Sequence, residues 1–82
     1  MKVPEIKKLV ENADIDVAIL RQAEDDLMEE KTLSIEVGGE DEGEQLTHIL
    51  AAIWILEEME KTGEDFRTTL RAYTSRVRKS IS

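Results

Sequence analysis

The uninterrupted apolar run from Ile49 to Leu56 constrains this chain more than any other feature. Its eight residues fall well short of the about 20 that a membrane span needs, so the run belongs in a buried helix. Projected at about 100° per residue, the stretch from Glu42 to Lys61 places Leu46, Ile49, Leu50, Ile53 and Leu56 on a broad primary stripe. His48, Ala52, Ile55 and Met59 form a second stripe, with 4-3-4 spacing, on the far side. Two apolar faces require two partners. At about 1.5 Å per residue this helix is about 30 Å long, comparable with the diameter of a whole small domain. The remaining elements must therefore be arranged around it.

Little chain is left to do so. The 82 residues make a single domain, since a second core would need its own complement of apolar side chains. At this size folding buries only about 60% of the surface that the unfolded chain exposes. The chain has no cysteine, which removes disulfides, thiolate metal sites and cysteine nucleophiles together. Oligomerisation is a common remedy for so thin a margin. The sequence accordingly predicts a homodimer, with His48, Ala52, Ile55 and Met59 at its interface, because exposing that second stripe would be unusual for a monomer.

The flanking segments read as three further helices and one extended piece. Pro4, with its φ fixed and its N–H missing, suits the first turn of a helix through Asn12, with Ile6, Leu9 and Val10 as its apolar stripe. A second helix is expected from Ile15 to Glu30, capped by Asp14 or Asp16, with Val17, Leu20, Ala23, Leu27 and Met28 recurring at helical intervals. Ile15, Val17 and Ile19 also alternate as a strand would. Thr32 to Val37 alternates strictly and stops at Gly38-Gly39, so Leu33, Ile35 and Val37 are read as one face of a short strand. Such a strand would pair with the Ile15 segment, pair with the same segment of a second copy around Ile35, or lie extended over the core. Gly63 fits a left-handed helix end. Asp65 fits the cap of a last helix to Lys79, whose seam is Phe66, Leu70, Tyr73, Val77 and Ile81.

Charge is segregated along the chain. Residues 66–82 hold five basic groups and no acid, whereas residues 1–65 hold six basic groups and nineteen acids. A total of −8 disfavours general nucleic-acid binding and attraction to anionic membranes. With 40% hydrophobic and 37% charged residues, the chain is too apolar for disorder and too charged for a membrane protein. The opening residues are charged and lack the apolar core of a secretory signal, so a cytoplasmic location is expected.

Chemistry-bearing constellations are sparse. Glu44 and His48 stand at i and i+4 and share a helix face, but two ligands do not make a metal site, and His48 reads as a polar member of a helix interface. The Gly38 to Glu44 segment is too acidic to cradle a phosphate and lacks the alternating oxygens of a calcium loop. It reads as a turn leading into a helix start favoured by the dipole. Thr47 and His48 point about 100° apart, so they form no dyad. No catalytic residue, cofactor or metal is expected. Arg67, Arg71, Thr74 and Arg78 form a polar stripe beside the last seam. This stripe is expected to pair with Glu57, Glu58 or Glu60 or with a partner subunit; the alternative is nucleic-acid association through Arg67, Arg71, Arg78 and Lys79.

The run Glu42-Gly43-Glu44-Gln45-Leu46-Thr47-His48 leading into Ile49 to Met59, the opening Met1-Lys2-Val3-Pro4 and the ending Arg76 to Ser82 resemble a small, uncharacterised bacterial protein family. The resemblance implies no activity and assigns no site residue. The expected fold is mainly α: one four-helix domain over residues 1–82, with at most one short strand, completed by homodimerisation. Its expected role is protein interaction, with itself and with an unidentified protein partner docking on Arg67, Arg71 and Arg78.

Overall fold

In the computed structural model, which describes residues 2–81 and side chains through Lys79, four helices follow in order: α1 (Val3–Glu11), α2 (Val17–Met28), α3 (Glu42–Thr62) and α4 (Phe66–Ile81). The side chain of Ile81, expected on the α4 seam, lies outside the described residues. Local chemistry accounts for most boundaries. Pro4 lies in the first turn of α1. The Asp16 side chain accepts from the Ile19 N–H at 2.9 Å and starts α2, and Asp41 accepts from the Glu44 N–H at 2.7 Å and starts α3. Gly63 ends α3 with φ of 74°, a left-handed conformation that glycine adopts without a β-carbon clash. Asp65 then accepts from the Thr68 N–H at 2.9 Å and starts α4. Residues 17–20 are helical, so the strand-like alternation ahead of Leu20 is not used.

The second helix stops two residues before the expected Glu30. Glu30 itself takes a left-handed φ of 60°, its N–H donates to Leu27 O at 3.1 Å, and the Lys31 N–H donates to Asp26 O at 2.7 Å. Those two bonds satisfy carbonyls that the last turn would otherwise leave unpaired.

Each of the other helices packs against α3. Because α3 is covered from three sides, its buried residues lie most of the way round: His48, Ile49, Ala51, Ala52, Ile53 and Ile55. This corrects the expected division into one core stripe and one interface stripe. Leu50, assigned to the primary stripe, is 44% exposed, whereas His48, Ala52 and Ile55, assigned to a dimer interface, are 0% exposed within the single chain. Met59 is half-buried against the same core. Ile6, Leu9 and Val10 of α1 and Leu20, Ala23 and Leu27 of α2 complete the core.

Residues 33–37 form no strand; among the described residues there is none. Their alternation survives as alternating burial: Leu33 and Ile35 are half-buried against the core, Val37 is buried, and Ser34 and Glu36 face solvent. The segment lies over the core in extended form without a ladder. It is held by side chains, including Gln45 Nε2, which donates to Val37 O at 3.1 Å.

Candidate functional site

Two places gather the chemistry that the sequence singles out. The first is His48, in the second turn of α3 and fully buried. Its Nε2 accepts from the backbone N–H of Lys2 at 2.9 Å, and its Nδ1 lies 2.7 Å from the carbonyl of Gly38. An amide only donates and a carbonyl only accepts, so the proton sits on Nδ1 and the ring is neutral. Both nitrogens are thereby engaged, which leaves no lone pair for a metal or for proton transfer to a substrate. His48 is a clamp that joins the start of α1 and the loop before α3 to the central helix. Lys2 extends the clamp: its Nζ lies 3.5 Å from Glu40 and 3.8 Å from the buried Glu44 Oε1, which has no hydrogen bond. Gly39 completes it. Its φ is +150°, and a β-carbon there would lie 2.9 Å from the Gln45 backbone N, so only glycine lets the loop lie so close to α3.

The second place is α4, the helix least absorbed into the core. Thr69 is its buried residue on the α3 side, with its hydroxyl donating to Asp65 O at 2.8 Å. Tyr73 stacks obliquely on Trp54 with ring centroids 5.5 Å apart, a favourable aromatic geometry. Phe66, Leu70, Tyr73 and Val77 are each only half-buried. Beside them Arg67, Arg71 and Arg78 are exposed. Among the described residues no ion pair joins Arg67, Arg71 or Arg78 to Glu57, Glu58 or Glu60, and Glu57 pairs with Arg21 of α2 at 3.0 Å. The stripe does act on Asp65. The Thr68 N–H, the Thr68 hydroxyl and then the charges of Arg67 and Arg71 hold its carboxyl below the ordinary range. Between α1 and α4 runs a groove of about 380 Å³ lined by Val3, Phe66 and Leu70 with the charged pairs Lys7, Glu11 and Asp65, Arg67. Leu70 also borders a separate depression with Arg71, Thr74 and Arg78 on α4.

The residues proposed from sequence therefore separate. His48, Ala52, Ile55 and Val37 lie inside; Met59, Leu33 and Ile35 cover the core; Arg67, Arg71 and Arg78 line an open face. Val3 and Glu11, which complete the groove, were not singled out, because nothing local marks α1 as the neighbour of α4. Among the described residues no cluster of three metal-binding side chains occurs, and no helix is long and apolar enough to cross a membrane. A family profile matches residues 1–82 in full. The chain belongs to DUF6952, a family of unknown function. Family membership agrees with the resemblance to an uncharacterised family and adds no activity to it. No curated protein and no solved structure matches the chain.

Proposed function

We propose that this chain is a cytoplasmic, non-catalytic protein-interaction module whose working surface is α4 and the groove beside it. The observation that carries the reading is the incomplete burial of the Phe66, Leu70, Tyr73 and Val77 seam next to three arginines exposed on the same helix. Half-covered apolar side chains bordered by Arg match the composition of protein interfaces, where aromatic residues and Arg are enriched and Lys and Glu depleted. Arg is also suited to planar, bidentate contact with carboxylates. The engagement of both His48 nitrogens supports a structural role for the one histidine of the chain.

The test is site-specific photo-crosslinking in the cells that make the protein. A photoreactive residue in place of Thr74, on α4, should give a discrete protein adduct, and the same residue in place of Asp25, on the exposed side of α2, should not. Equal or absent crosslinking from both positions would remove the reading. Purified protein should show no RNA or DNA binding at physiological salt. Micromolar binding that weakens steeply with salt, as phosphate contacts require, and that disappears when Arg67, Arg71 and Arg78 are changed to Gln, would instead establish nucleic-acid association.

A further inference from the structure

We infer that His48 is an acid-operated latch: a proton taken up at its Nε2 releases the start of α1 from the central helix and turns the ring nitrogen to Glu44 as its acceptor. The latch is independent of what docks on α4. Nε2 accepts from the Lys2 N–H at 2.9 Å, while Nδ1–H donates to the Gly38 carbonyl at 2.7 Å. Histidine side chains change charge between about pH 5 and 8. A proton from solvent that adds to Nε2 makes it a donor, and two donors facing each other form no hydrogen bond. The bond to Gly38 survives, because Nδ1 already donates. The bond to Lys2 does not.

Two observations give each freed group a place to go. Lys2 is the N-cap of α1, and its carbonyl accepts from the Glu5 and Ile6 N–H groups at 3.1 and 3.3 Å, but no side chain caps the helix. The other three helices start on the side chains of Asp16, Asp41 and Asp65. Placement of the first turn of α1 therefore depends on His48, and Lys2 is exposed, so its released N–H meets water. The second observation is Glu44. It stands four residues before His48 on the same face of α3, and its buried Oε1 has no hydrogen bond. Protonated Nε2 supplies the donor that this oxygen lacks. The charged groups around the clamp come from each element that it joins: Lys2 ahead of α1, Glu5 on α1 against Gly38 and paired with Lys8, Glu40 in the loop and Glu44 on α3. Burial opposes a charge on the ring, and these three carboxylates, which outnumber the two ammonium groups, offset that cost. Val3, next to Lys2, lines the groove between α1 and α4, so the release reaches that face.

Nuclear magnetic resonance of the labelled full chain, followed from about pH 8 to about pH 5, tests the latch. At the upper end the ring nitrogens should report the tautomer protonated on Nδ1. As the pH falls, the Lys2, Glu5 and Ile6 amide signals should move with the same midpoint as the His48 ring. The amides of Ile53 and Ile55 in the middle of α3 should stay in place, and far-ultraviolet circular dichroism should lose no more than the first turn of α1. His48→Gln offers an amide oxygen to Lys2 and an amide N–H to Gly38 at either pH, so its Lys2 signal should no longer respond to acid. Glu44→Gln removes the charge of the acceptor, so the shared midpoint should move to lower pH. A ring that stays neutral throughout, a ring that titrates while the Lys2 amide stays still, or a transition that unfolds α3 along with α1 would each overturn the inference. If His48→Gln does not fold, Glu44→Gln, at a side chain 22% exposed, decides alone, and an unmoved midpoint there removes Glu44 as the acceptor and the latch with it.

Discussion

Replacing His48 by phenylalanine keeps most of the ring volume but leaves the Lys2 N–H and the Gly38 carbonyl without their partner. A buried polar group left unpaired costs about 1–3 kcal/mol, so urea denaturation should show a loss of at least ~1 kcal/mol. An unchanged midpoint would show that water replaces the ring without penalty. Asp65 gives a pH-dependent counterpart. Its carboxyl is held below the ordinary range first by the Thr68 N–H, then by the Thr68 hydroxyl and the two arginines. A depressed carboxyl contributes stability above its unfolded value of about 3.9. That contribution is lost as pH falls through the folded value. Asp65→Ala should therefore lower the melting temperature at neutral pH, and the gap to the parent should close as pH drops below about 4. A gap that persists at low pH would mean that the carboxylate charge does not matter to the cap. Asp65 was legible in the sequence because its partner Thr68 lies three positions away. The role of His48 was not, because Lys2 is 46 positions distant and only the fold brings it close.

At the scale of elements, helix existence was legible throughout, because caps and 3.6-residue periodicity are local signals. Their ends shifted where backbone conformation overrode composition. Glu30 has nothing in its side chain to mark a left-handed stop, yet α2 ends there with φ of 60°. A left-handed conformation costs a residue with a β-carbon about 1–2 kcal/mol, part of which glycine returns as unfolded-state entropy. Glu30→Gly should therefore raise stability by about 0.5–1 kcal/mol in chemical denaturation, and a loss would mean that the Glu30 side chain makes up for the strain. Residues 33–37 show the opposite limit. Their alternation correctly marks which side chains approach the core, but alternation does not specify a ladder, and the described residues supply no neighbouring strand. Among the described residues no backbone N–H from Leu33 to Val37 donates a hydrogen bond. Amide exchange should therefore be fast across the segment and slow in the middle of α3. Slow exchange at Ile35 in the assembled protein would restore pairing of this segment between copies.

For the whole molecule, the apolar pattern of α3 shows that more than one face needs cover but neither how many nor what covers them. Three helices of the same chain surround it, and the least covered of them is α4, which carries the basic segment. This placement makes the salt response of the crosslink from position 74 a sharp test of the proposed surface. Contacts of Arg67, Arg71 and Arg78 with carboxylates should weaken as the Debye length falls from about 10 Å at 0.1 M salt to about 3 Å at 1 M, so the adduct formed from position 74 should be reduced in a lysate brought to about 1 M salt. An adduct that does not change would mean that Phe66, Leu70, Tyr73 and Val77 carry the contact without the arginines.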